Sequence, residues 1–95
     1  MPIREATNET SLYMSIYVSA RLIQARQARG LTQVALGRAA GVPHPMMISG
    51  WERGLNLPRV DYLVAVAQVL GVSLDWLCGL TERGGPGGSK RPKQI

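Results

Sequence analysis

Ninety-five residues make one small domain, near the size at which a single core is only marginally stabilising and self-association often helps. Eleven Lys and Arg against six Asp and Glu give a formal charge of +5, which favours a polyanionic partner. The single cysteine, Cys78, excludes an intrachain disulfide framework and a cysteine-rich zinc site, and it fits a reducing cytoplasm. Between Ser19 and Leu80 six arginines face three acids, while the segment 81–95 sets Arg83, Lys90, Arg91 and Lys93 against Glu82. Half of the positive excess therefore lies outside any stretch with a packing signal.

Residues 1–10 are polar and mildly acidic without periodicity, so a flexible extension is expected over 1–14. The run Leu-Tyr-Met-Ser-Ile-Tyr-Val-Ser-Ala over 12–20 has the aromatic and β-branched content of a strand, the length of a weak signal-peptide core and an ending that would pass as a cleavage site. A secretory signal needs a positive flank, whereas this one is net negative, and no stretch approaches the length of a membrane span. Two readings stay open: a first helix that begins early, near Ser15, or a strand through which two chains pair. The first helix proper covers 19–29, turns Leu22, Ile23 and Ala25 inward and stops at Gly30.

A second helix starts at Thr32, whose hydroxyl caps free backbone donors, and carries Leu36, Ala39 and Ala40 on one face before Gly41 ends it. Val42 is an apolar plug, Pro43 and His44 carry the chain round, and Pro45 sits in the first turn of a third helix over 46–53. Ile48 and Trp51, three apart, face inward together; Gly54 stops the helix and Pro58 prevents a restart. A fourth helix over 59–70 repeats Val60, Leu63, Val66, Ala67 and Leu70 at helical spacing, and Ser73 caps a short fifth helix over 74–79 that adds Leu74 and Leu77 to the core. From Thr81 the Gly-Gly-Pro-Gly-Gly-Ser run and the basic tip make 81–95 a disordered tail. The pattern is all-α, and the second and third helices with their tight turn read as a DNA-binding helix-turn-helix.

The spacing of Leu31, Thr32, Gln33, Leu36, Gly41, Val42, Ile48, Ser49, Trp51, Glu52, Arg53, Gly54 and Pro58 resembles the phage repressor and Cro family, over roughly 19–80. In that family Leu-Thr-Gln opens one helix, Ile-Ser-x-Trp-Glu-Arg-Gly ends the recognition helix after it, and Gly-Val-Ser-Leu-Asp opens the last helix. All three segments stand here. One departure is an extra residue between Val42 and Ile48, in the Pro43, His44, Pro45 turn. The resemblance implies a compact five-helix lambda-repressor-like domain over 15–80 with flexible N- and C-terminal tails. It also implies a DNA-binding transcriptional regulator, a repressor, that sets helix 3 in the major groove.

Site residues follow from the same resemblance. Aligned on Ile48, the base-reading face comprises His44, Pro45, Met46, Ser49 and Gly50, with Met47 at its margin. Gln33 is expected on a backbone phosphate, although the residue alone reads as a solvated glutamine in a first turn. Arg38 and Arg53 are further phosphate candidates, with a plain solvated surface as the competing reading. The family pairs Arg26 with Glu52; such a pair orients the recognition helix and leaves Arg26 near a phosphate, contributing under about 1 kcal/mol if exposed. Trp51 reads as core. The reading face contains no Arg, Asn or Gln, the side chains best suited to major-groove edges.

No cofactor is expected, and metal binding lacks a second histidine or a paired cysteine. An enzyme is disfavoured because no phosphate loop, acid pair or activated nucleophile occurs at motif spacing. The expected partners are double-stranded DNA and a second copy of the chain, with a toxin or another regulator as a protein partner and no membrane. Two copies would pair at the helix 4 to helix 5 junction around Val72, or through 12–17. Removal of 81–95 is expected to weaken general DNA affinity and leave the core's melting point unchanged. The competing function is an antitoxin-type or protein-interaction module on the same fold.

Overall fold

The computed structural model describes residues 8–87, and among them every regular element is helical: α1 (Asn8–Ala28), α2 (Gln33–Ala40), α3 (Met46–Glu52), α4 (Val60–Leu70) and α5 (Leu74–Leu77). The first seven residues of the expected N-terminal extension and the basic tip with Lys90, Arg91 and Lys93 lie outside the described residues. α1 packs on α3 and α5, α2 on α3 and α4, and α4 on α5. One shared core results, built on Val18, Leu22, Leu36, Ile48, Trp51, Leu63, Val66, Leu70, Trp76 and Leu77.

α1 is longer than its sequence indicates. It starts at Asn8, well before Ser15, and carries the whole 12–20 run as helix, which overturns the strand reading. Val18, Leu22 and Ala25 recur at spacings of four and three and are buried, with Met14 packed against the same cluster. That inner row outweighs the β-branched and aromatic content of the run, a case of tertiary packing overriding local propensity.

The caps form where the residue types require them. Thr32 Oγ1 accepts the Ala35 N–H at 3.0 Å and Ser73 Oγ accepts the Trp76 N–H at 2.9 Å. Gly41, at φ 74°, closes α2 with its own N–H on Arg38 O, and the Val42 N–H returns to Gly37 O at 2.9 Å. Val42 is then buried while Pro43 and His44 stay exposed, so the extra turn residue is absorbed at the surface and Ile48 and Trp51 keep their inward seats. Gly37 helps: a Cβ there would meet Pro45 Cα at 3.4 Å, so α2 and the turn lie backbone against backbone.

Ile23, expected inward on α1, is only partly covered and stands outside the core cluster, and three further expected core residues face outward. Ala39 is exposed, and the inner face of α2 is Leu36 with Gly37. Val60, at the edge of the α4 stripe in its first turn, reaches solvent, and Arg59 precedes the helix as its cap. Leu74 is half-buried at best, and Trp76 takes the core position beside Leu77, because a helix of four residues can bury only one side.

The segment 81–87 folds back onto the helices, correcting the expectation of an unpacked tail from Thr81. Arg21 is stacked between Tyr17 and Trp76, 5.0 and 4.7 Å from their ring centres. It donates to Trp76 O at 2.6 Å, to Thr81 O at 2.8 Å and to both oxygens of Glu82 at 2.9 and 3.0 Å. The Ser73 N–H bonds Gly84 O at 2.9 Å, and Gly85 lies so close to the Trp76 indole that a Cβ would sit 2.7 Å from it. A glycine-rich stretch with little cohesion of its own is thus held by Arg21, Ser73 and Trp76.

Candidate nucleic-acid interface

α3 has a fastened end and an open face. At the fastened end Glu52 is 8% exposed, and both carboxylate oxygens are occupied. Arg26 donates from Nε to Oε2 at 2.6 Å and from Nη2 to Oε1 at 3.0 Å, while Gln33 Nε2 donates to Oε1 at 2.9 Å. The third guanidinium nitrogen of Arg26 bonds Leu31 O at 2.8 Å. The hydrogen bond to Glu52 pushes the Arg26 guanidinium even higher than the usual arginine range, against the opposing effect of burial. α1, the 30–32 turn and the first turn of α2 therefore converge on the last residue of α3.

This geometry corrects the view of the pair as exposed. With the Arg26 side chain 14% exposed and its nitrogens engaged, the ion pair is a buried network. Breaking such a pair by removing one partner costs about 3–5 kcal/mol, because the other charge stays buried. Local sequence carries no sign of the Gln33–Glu52 bond, which joins residues 19 apart.

The open face carries Met46, Ser49 and Gly50 at positions i, i+3 and i+4, with His44 and Pro45 in the turn before them. Met46 is 79% exposed and His44 is exposed, whereas Pro45, Ser49 and Gly50 are partly covered. Met47 turns toward the core and Trp51 is buried in it, tilted against Tyr62 at 6.1 Å. Beside this face runs a groove of about 620 Å³ lined by Met46, Met47, Gly50, Trp51, Asn56, Leu57, Arg59 and Tyr62.

Asn56 is the residue that the sequence reading missed. It stands in the loop after α3, and its Oδ1 lies 3.6 Å from where a Cβ at Gly50 would be. The loop reaches this position because Gly54, at φ 73°, reverses the chain and the Leu55 N–H returns to Gly50 O at 3.0 Å. A glycine inside α3 is the available signal, since the missing side chain leaves room for a neighbour. Arg59 borders the same groove, stacked 4.6 Å over Tyr62 and paired bidentately with Asp61. Its hydrogen bonds hold the Asp61 carboxyl below the usual carboxylate range and raise Arg59.

Among the arginines expected on DNA, Arg38 and Arg53 are exposed, on α2 and at the end of α3, and neither guanidinium has an acid partner among the described residues. Arg26 differs, being engaged within the fold. Among those residues no group of three His, Cys, Asp or Glu side chains is placed to hold a metal ion, and no helix is long and apolar enough to cross a membrane.

Comparison with known proteins gives one match. No curated relative and no solved structure matches the chain. A family model described as Helix-turn-helix matches residues 22–77, from the second half of α1 to the last residue of α5. That span covers more than half of the chain and contains the Arg26–Glu52–Gln33 network, the turn and the open face of α3. The chain belongs to the Cro/C1-type helix-turn-helix family, a family of DNA-binding regulators.

Proposed function

We propose that this protein is a repressor that lays α3 in the major groove of double-stranded DNA and works as a homodimer in the cytoplasm, on the nucleoid. The observation that carries the reading is the contrast at α3. Its last residue is tied to α1 and α2 by a largely buried charged network, while Met46 on its other face is open and Arg38 and Arg53 are exposed. Orientation of a short helix by its surroundings, with backbone contacts from arginines around it, is what groove recognition requires. Gln33 uses one amide proton on Glu52 and keeps the other for a phosphate, next to the free N–H groups at the start of α2.

Base reading falls to His44, Pro45, Met46, Ser49 and Gly50, with Asn56 supplying a carboxamide where the helix has none. An amide can pair with adenine, and Met46 suits a thymine methyl. With about three phosphates neutralised per subunit, log affinity should fall against log salt with a slope near five for the dimer. A slope near zero in a salt titration of duplex binding would refute the reading.

A second reading has its own support. Because the face itself has no amide or guanidinium, an interaction module of antitoxin type, binding a toxin or another regulator and reading DNA weakly, uses the same surface. Competition separates the two: a regulator prefers one duplex over bulk DNA, and an interaction module does not.

A further inference from the structure

We propose that Asp61 is a brake on DNA affinity: it holds Arg59 in a net-neutral pair at the edge of the reading face, so that the arginine's charge serves a phosphate only by leaving the carboxylate. This deepens the DNA-binding reading above and rests on it. Arg59 emerges where the chain is fixed on both sides. Pro58 before it is buried and Leu57 packs against the core, while Asp61 and Tyr62 after it belong to the first turn of α4. Its guanidinium lies 4.6 Å over the Tyr62 ring, along the groove that Met46 and Gly50 also line.

Charge is what this arginine has to offer a duplex, and Asp61 takes it. Arg59 Nε and Nη2 each donate to one Asp61 oxygen at 2.8 Å, which leaves Nη1 outside the pair. Beyond a Debye length, two opposite charges this close make a neutral spot, so the pair neither attracts a polyanion nor releases a counterion on binding. Arg38 and Arg53 differ, as neither has an acid partner among the described residues.

The pair is placed to come apart. Its side chains are 68% and 62% exposed, and so exposed a pair does little for the fold. Asp61 keeps its place without Arg59, because its Oδ1 also accepts the Tyr62 N–H at 3.0 Å, at the start of α4 where the helix dipole favours an anion. Arg59 therefore exchanges the carboxylate for a phosphodiester without orphaning either group. Beside the reading face, the pair sets how much positive charge the start of α4 presents to DNA. Phosphate contacts carry no sequence information, so the brake acts on general affinity.

The test is fluorescence anisotropy of a labelled random-sequence duplex, titrated with the full chain over a series of salt concentrations. Asp61→Asn should bind at least about threefold tighter at low salt with an unchanged thermal melt. The fall of log affinity against log salt should steepen by about 1 per subunit. In an Arg59→Ala background the same Asp61→Asn change should leave the slope as it was, because no cation is left there to neutralise a phosphate. Asp75→Asn on α5, which changes the net charge equally, should bind like wild type. Wild-type affinity and slope in Asp61→Asn, or a slope that steepens as much without Arg59 or after Asp75→Asn, would each overturn the proposal. A wild-type chain that binds duplex but does not respond to Asp61→Asn refutes the brake alone. Absence of duplex binding by both proteins refutes the DNA reading together with it.

Discussion

The two sides of α3 differ in what the chain has placed on them. The Glu52 end is a buried, fully hydrogen-bonded network that draws on α1 and α2. The face proposed to read DNA is a methionine, a serine and a glycine, with an asparagine from the following loop beside them. On that proposal, positional precision is built in away from the bases, and the reading side chains are few. Discrimination between sequences should come from DNA shape, methyl contacts and backbone arginines more than from bidentate base pairs.

The sharpest way to break this contrast is Glu52→Ala, which leaves the largely covered Arg26 guanidinium without its carboxylate and with Leu31 O as its remaining acceptor. Stability should fall by about 3–5 kcal/mol, read from urea or thermal unfolding, and DNA binding should fall with it. Little change would mean that the network is relaxed in solution. Removing 81–95 should cost roughly 1–3 kcal/mol, because Arg21 and the Ser73 N–H lose acceptors and the Trp76 indole loses its cover. An unchanged melting point would return the end of the domain to Leu80.

On the open face, Gly50→Gln should stabilise α3 by up to about 1 kcal/mol, since glycine inside a helix is unfavourable. The nearest atom to the new Cβ is Asn56 Oδ1 at an ordinary 3.6 Å. The variant should also select a narrower set of duplexes. Arg38→Ala and Arg53→Ala should each lower the salt slope by about 1 per subunit and leave unfolding within about 0.5 kcal/mol of wild type. The smallest effect belongs to Asp61. Its pKa is lowered by Arg59, so its contribution is present above the ordinary Asp pKa and is lost as pH falls through the lowered value. As both groups are exposed, Asp61→Asn should leave the melt at neutral pH unmoved.

The legible parts of the fold are those written within one turn of chain. Thr32 and Ser73 announce helix starts, Gly41 and Gly54 announce stops, and the Leu36, Ile48, Trp51 and Leu63 rows announce inward faces. What stayed hidden depends on partners far along the chain. Arg21 meets Thr81 and Glu82 across about sixty residues, and nothing near Gly85 indicates that its place is on Trp76. The start of α1 was missed because its outer row carries no polar face to mark amphipathicity. At the site, the Arg26–Glu52 pairing came from family spacing; its burial, the Gln33 bond and the approach of Asn56 to Gly50 needed the packed chain.

Selection of bound sequences from random duplexes by the unmodified protein, at stated salt, tests the central contrast most directly. The account predicts that the best duplex exceeds random DNA by less than about ten-thousandfold, inside the lower part of the range of specific binders. Preferences should spread to positions beyond those beneath α3. A single operator preferred by more than that factor, with its information confined to the bases under Met46, Ser49 and Gly50, would contradict it.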